Sequence, residues 1–147
     1  MRLVVLAVGK IKEPGLRDAV DDYFGRVRRH YGLEEIELRD APSEQLTAAI
    51  EKRLAPSAYF VALDVSGQAR TSEGFARWLE ARARDGKGNV TFLIGGADGL
   101  PSRVLERAHE RLSLSTMIFP HRLARLILAE QLYRATTILR HEPYARM

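Results

Sequence analysis

The chain has 147 residues, of which 46% are hydrophobic and 29% charged, with a formal net charge of +4 and no cysteine. That length makes one ordinary domain, residues 1–147, large enough to bury a core; the missing cysteines exclude disulfides and thiolate zinc sites, and no apolar run approaches the ~20 residues of a membrane helix. Arginine supplies 19 of the 23 basic residues, a weak pointer to phosphate or nucleobase contacts.

Strand-like and helix-like segments alternate along the whole chain. Arg2–Val8 is a near-continuous apolar run, as expected of a strand covered on both faces rather than of a signal peptide, because no small-residue cleavage site follows it. Pro14 to Tyr31 reads as a helix, with Pro14 in its first turn and Leu16, Val20, Phe24 and Val27 at helical spacing. Glu35–Arg39 alternates apolar and charged residues, the pattern of an edge or half-exposed strand. Ser43 is expected to cap a helix reaching about Leu54. Ala58–Leu63 is the third strand. Thr71 or Ser72 caps the next helix, whose inner face carries Phe75, Trp78 and Leu79, and Gly86-Lys87-Gly88 closes it. Asn89–Ile94 is the fourth strand, Pro101 opens a helix to about Arg111, Ser113–Phe119 is the fifth strand, and Arg122 to Arg140 is the last and longest helix. The order βαβαβαβαβα predicts an α/β domain, a mostly parallel sheet with helices on both faces.

In open α/β sheets ligands gather beyond the carboxyl ends of strands. Three such ends stand out: Leu63-Asp64-Val65-Ser66-Gly67, Gly95-Gly96-Ala97-Asp98-Gly99, and Ser113 to His121. Glycines after a strand let a ligand approach the main chain, although a tight turn that binds nothing explains Gly95-Gly96-x-x-Gly99 equally well. The spacing is not G-x-G-x-x-G and Gly9-Lys10 lacks the rest of a P-loop, so dinucleotide and nucleoside triphosphate sites are disfavoured. No Gly-x-Ser-x-Gly elbow supports a hydrolase. His30, His109, His121 and His141 show no metal-ligand spacing, and His30 and His109 are expected on solvent-facing helix surfaces. Asp21-Asp22 reads as a solvated face.

The last helix is apolar around much of its circumference yet carries Arg122, Arg125, Glu130 and Arg134. Either Arg125 or Arg134 is directed to a bound anion at a protein–protein interface, or internal pairs such as Glu130 with Arg134 account for the charges. The tail Glu142-Pro143-Tyr144-Ala145-Arg146 is too short for a helix through Pro143; such tails usually fray, although an aromatic and an arginine around one small residue suit a nucleobase.

Taken together, these segments resemble the RlmH family, the small SPOUT-class methyltransferases of the large ribosomal RNA. The likeness runs through Leu6-Ala7-Val8-Gly9-Lys10, Leu63-Asp64 with Gly67, Phe92 to Leu100, Ser113 to His121, Glu130 to Ala135 and Pro143-Tyr144. It implies a C-terminal trefoil knot, an exception to the usual rules of chain connection. It implies S-adenosylmethionine bound in that knot by Leu63, Gly95, Gly96, Leu114, Ser115, Thr116, Met117, Ile118, Phe119 and Pro120. It further implies a homodimer with the last helix in the interface, while the missing cysteines, the histidine spacing and the lack of a membrane-length run lead to the expectation of a cytoplasmic protein without metal or membrane. The implied reaction is methylation of N3 of a pseudouridine in 23S rRNA within the 70S ribosome. Tyr144 would orient the base, Arg146 or Arg134 would offset its charge, and His121 is either a proton relay or a structural residue beside Pro120. Two positions depart from the family pattern: Ala145 stands where the tail usually has histidine, and Ile118 where threonine is common. The first leaves a second reading open, a ribosome-associated homodimer that binds S-adenosylmethionine with little or no turnover.

Overall fold

A computed structural model describes residues 1–85 and 89–145. The five strands are β1 (Arg2–Val8), β2 (Gly32–Leu38), β3 (Tyr59–Ala69), β4 (Asn89–Ile94) and β5 (Glu110–Ser113). The five helices are α1 (Pro14–Val27), α2 (Ser43–Arg53), α3 (Ser72–Arg84), α4 (Ser102–Arg107) and α5 (His121–Leu139), followed by a 3-10 turn at Pro143–Ala145. The strands form one sheet in the order β2-β1-β4-β3-β5, and every pairing is parallel. The expected α/β architecture is therefore present, with β2 at one edge as its half-charged sequence predicts.

Period-two alternation in the central strands makes two separate cores. Leu3, Val5, Ala7, Phe92 and Ile94 face α1, α3 and α5. Leu6, Val8 and Leu93 face Leu46 and Ile50 of α2 and Val104 of α4. Because α4 and α5 lie on opposite faces, the chain changes face through β5 and residues 114–120, the crossing segment that links β5 to α5. Among the described residues, no helix is long and apolar enough to cross a membrane.

Several boundaries differ from expectation. The first helix ends at Val27 instead of Tyr31, so His30 sits in the following turn. Ser43 is the first residue of α2 rather than its cap; Pro42 occupies the cap position, and the Ser43 carbonyl accepts a hydrogen bond from Thr47 Oγ1 at 2.7 Å. Thr71 does cap α3, accepting from the Gly74 N–H at 2.9 Å. Gly86-Lys87-Gly88, expected to close that helix, lies outside the described residues.

The largest differences lie at β3 and β5. The third strand continues past Leu63 to Ala69, and both Leu63 and Gln68 register with Leu112. Gly67 makes this excursion feasible, because a Cβ there would lie 2.6 Å from the Arg111 carbonyl carbon and oxygen. The fifth strand covers 110–113 instead of 113–119, and the helix before it stops at Arg107 instead of Arg111. The apolar run Met117-Ile118-Phe119 has strand-like composition but lies in the crossing segment. His109 is likewise not on a helix: its Nδ1 accepts the Phe60 N–H at 2.9 Å, and its ring stacks on Tyr59 with centroids 4.7 Å apart.

One buried cation ties these parts together. The Arg125 side chain of α5 is 0% exposed. It donates to Glu35 at 2.9 Å, to Glu37, and to the Gly9 carbonyl at 3.1 Å. Arg17 of α1 also pairs with Glu35 and Glu37, and the Ile11 N–H donates to Glu37 at 3.2 Å. Arg125 is thus a structural cation, and the alternative of a bound anion at this residue is corrected: its guanidinium is enclosed and already faces two carboxylates. Burial by itself would raise the Glu37 carboxyl, but hydrogen bonds from Arg125 and Ile11 outweigh it and hold the group below its ordinary 4.5.

Arg125→Met is expected to lower stability by about 3 kcal/mol, because it leaves carboxylates partly buried without their main cation. Chemical denaturation checks this, and an unchanged midpoint contradicts it. Because the Glu37 value is depressed in the folded state, its contribution is full above 4.5 and is lost as pH falls below that value. The acid side of the stability profile is expected to flatten in Arg125→Met.

Candidate active site

At the carboxyl edge of the sheet the ends of β3 and β4, the 95–100 turn and the crossing segment enclose a cleft of about 770 Å³. Leu63, Gly95, Gly96, Leu114, Ser115, Met117, Ile118, Phe119 and Pro120 all line it, and so does His121. The expected residue missing from the lining is Thr116, which is exposed. Val65, Ala97, Asp98, Leu100 and Ala124 also line the cleft and were not singled out from the sequence, although all but Ala124 belong to strand ends that were. Ala124 follows one helical turn after Pro120 and carried no separate signal.

The turn is built from close main-chain contacts. The Gly99 N–H donates to the Gly96 carbonyl at 3.0 Å, and Gly99 has a φ of +76°. A Cβ on Gly95 would lie 2.5 Å from the Gly99 carbonyl carbon and 2.6 Å from the Leu100 nitrogen. Gly95 is therefore required by the turn itself. At Gly96 a Cβ would meet Val8 Cγ1 at 3.2 Å and Asp40 Oδ2 at 3.5 Å, so that missing side chain faces the protein and not the space a ligand would take. The expected reason for this second glycine is corrected accordingly.

The opposite wall is held by serines. Ser113 Oγ donates to the Ser115 carbonyl at 2.9 Å, and Ser115 Oγ accepts the Met117 N–H at 3.0 Å. With its polar groups turned inward, the loop leaves Met117 71% and Ile118 85% exposed beside the cleft. An aliphatic floor, a main-chain turn and Asp64 and Asp98 at the rim suit a ligand with a flat apolar ring and polar appendages. His121, at the start of α5, packs its Nε2 3.3 Å from where a Gly9 Cβ would be. Burial, then Arg122 and Arg125, pull its imidazole below the ordinary value, so it is neutral at pH 7. His121 thus lines the cleft beside Pro120 with its ring packed toward Gly9.

The other expected catalytic residues lie elsewhere. Tyr144 packs against Tyr133 with centroids 4.7 Å apart, and its hydroxyl donates to Glu130 at 3.2 Å. The near part of the tail is therefore docked rather than frayed. Burial, a hydrogen bond with Tyr23 and the Glu130 charge push the Tyr144 phenol well above its ordinary value, so it stays protonated. The Arg134 guanidinium lies 5.0 Å over the Tyr144 ring and pairs with Glu130 at 3.2 Å, the expected i,i+4 pair. Arg146 lies outside the described residues. Beside this group is a second cleft of about 480 Å³, lined by Arg77, Arg134, His141 and Ala145 among others. His121 and Arg134 are thirteen residues apart on one helix, roughly 20 Å at 1.5 Å per residue. One chain thus carries the two halves of the expected site at separated places. Among the described residues, no group of three or more His, Asp or Glu is placed to hold a metal ion.

A five-stranded parallel sheet with this cleft at its carboxyl edge has the architecture of the SPOUT class. The family model described as predicted SPOUT methyltransferase matches residues 1–145. A protein of Sorangium cellulosum named ribosomal RNA large subunit methyltransferase H is 52% identical over 145 residues, 99% of each chain. One of the same name from Gemmatimonas aurantiaca is 43% identical, over 98% of this chain and 99% of its own. Among solved structures, a probable methyltransferase from Bordetella pertussis aligns with a TM-score of 0.56 at 14% identity, covering 91% of this chain and 95% of that one. The SpoU methyltransferase AviRb from Streptomyces viridochromogenes, solved in complex with AdoMet, aligns at 0.51 and 13% identity, covering 92% and 58%. The chain belongs to the SPOUT methyltransferase family, and within it to the ribosomal RNA large subunit methyltransferase H group.

Gly95→Ala is expected to cost about 1–3 kcal/mol through overpacking of the 95–100 turn. A thermal melt checks this, and an unshifted midpoint contradicts it.

Proposed function

We propose that the protein methylates N3 of a pseudouridine in 23S rRNA on the assembled ribosome in the cytoplasm, using S-adenosylmethionine and acting as a homodimer. The observation that carries the reading is the first cleft. A main-chain turn that admits no Cβ at Gly95 stands against a loop with exposed Met117 and Ile118, at the sheet edge where such folds bind ligands. Leu63, Leu100 and Leu114 would take the adenine, and the 95–100 turn with residues 115–120 would hold the polar remainder. The donor supplies an already activated sulfonium methyl group. The protein's tasks are then to align donor and acceptor, to exclude water, and to handle the proton on N3.

The separation along α5 supports the homodimer reading. A second copy is needed to bring the Tyr144 and Arg134 group to the first cleft. Exposed apolar side chains beside that cleft, Val65, Met117, Ile118 and Leu123, give such a copy a surface to cover. The protonated Tyr144 phenol would position the pyrimidine, and Arg134 would offset charge on the imide. We also take the passage of residues 114–120 from β5 to α5, beside the excursion at 64–67, as the thread of the trefoil knot. Close packing of Gly67 on Arg111 supports that reading.

The test is methylation of ribosomes from a strain lacking this modification. Labelled methyl on N3 of one 23S pseudouridine is expected; label elsewhere, or none, contradicts the assignment. Deleting residues 143–147 is expected to leave donor affinity by calorimetry unchanged and to reduce transfer by about 100-fold or more. Full transfer by the truncated chain would remove the tail from the active site.

A further inference from the structure

The end of α5 carries an uncommon backbone feature. The Glu142 N–H donates to the Thr137 carbonyl at 2.9 Å and the His141 N–H to the Ile138 carbonyl at 3.2 Å. This pair of bonds is a Schellman motif, whose left-handed position is usually glycine because a Cβ is disfavoured there. Here that position is His141, with φ of +57°, the one non-glycine residue with positive φ among those described. Glycine would close the helix with less strain, so the imidazole at this place asks for another explanation.

Its surroundings supply one. His141 lines the second cleft, about 480 Å³, together with Arg134 and Ala145. Arg77 and Glu73 of α3, Arg134 of α5 and Glu142 of the tail are the charged groups lining the same cleft, and Arg140, the C-cap residue of α5, pairs with Glu142. Ala145 adds only a methyl group, leaving the space between the imidazole and the arginines open. Apart from Glu73, an exposed carboxylate on α3, the neighbouring acidic and phenolic side chains are engaged. The Tyr144 phenol is protonated and donates to Glu130. Glu130 accepts from Arg134, Gln131 and Tyr144, and Glu142 pairs with Arg140 at 3.1 Å. An imidazole is the side chain whose ordinary titration range suits proton removal near neutral pH.

We propose that the second cleft receives the pyrimidine of the substrate and that His141 is the catalytic base that removes the proton from N3. This inference rests on the methyl-transfer reading above. As the N3–H bond breaks, the proton passes to an imidazole nitrogen, and the N3 electron pair forms the bond to the methyl carbon. The carbon–sulfur bond of the sulfonium donor breaks with its electron pair remaining on sulfur. Arg77 and Arg134 stabilise negative charge on the imide oxygens as the proton leaves.

The test is His141→Gly, chosen because glycine suits the left-handed position and keeps the helix cap. The variant is expected to melt at or above the wild-type temperature and to bind S-adenosylmethionine with wild-type affinity. Its kcat for methylation of unmodified ribosomes should fall about 100-fold or more. Added imidazole should restore turnover to the variant. Wild-type turnover in His141→Gly overturns the proposal. So does a fall in kcat in Glu73→Gln instead, which would move the role to that carboxylate. Failure of the wild type itself to methylate these ribosomes overturns the functional reading as well, so the two failures are distinguishable in one set of reactions.

Discussion

The Arg125 guanidinium is the contact on which the arrangement of this protein turns. It sits fully enclosed at the start of α5, between Glu35 and Glu37 of the edge strand β2, and reaches the Gly9 carbonyl at the end of β1. A buried charge is tolerated only when paired, and removing one member of such a group leaves the others uncompensated. The pairing therefore fixes where α5 begins relative to the sheet. Pro120 and His121 immediately precede it in space, so the crossing segment 114–120 is anchored at its far end by the same contact. At its near end it is anchored by β5, which β3 flanks through the excursion around Gly67. A segment pinned at both ends across the carboxyl edge becomes one wall of a cleft whose other wall is the 95–100 turn.

That geometry explains a division of labour among the chain's polar groups. Several of the first cleft are used locally: Ser113 and Ser115 fold their own loop, Gly99 closes its own turn, and His121 packs toward Gly9. What the cleft offers a ligand is shape, apolar surface, main chain and the carboxylates of Asp64 and Asp98. The charged and titratable groups Arg134, Tyr144 and His141 lie at or just beyond the other end of α5. In the proposed reaction, donor binding and proton handling are thus roughly 20 Å apart on one chain, by the rise of one helix. In the proposed homodimer a single copy is half of two sites, and a pair of copies makes each site whole.

The sequence made the sheet legible because its central strands are apolar on both faces; Arg2–Val8 and Asn89–Ile94 agree with the structure residue for residue. The glycine turn was legible as a strand end rich in residues without Cβ. The fifth strand was not, because Met117-Ile118-Phe119 has the composition of a strand and the role of a cleft wall. Local propensity cannot separate an apolar side chain that packs inward from one left exposed for a partner. Arg125 was misleading for a related reason. A charge on an apolar helix has either an external or an internal partner, and its carboxylates lie 88 and 90 residues away in sequence. The strain at His141 had no sequence signal at all, since only the backbone reveals a left-handed residue.

The central claim is that a donor cleft from one copy and the tail region of another form one active site. Mixing two inactive chains tests it most directly. One carries Ser115→Trp, which fills the cleft, and the other lacks residues 143–147. The mixed preparation is expected to methylate ribosomes although neither chain alone does, because one composite site in each mixed pair is intact. A mixture as inactive as its components, with exchange of subunits verified by mass, would contradict the account.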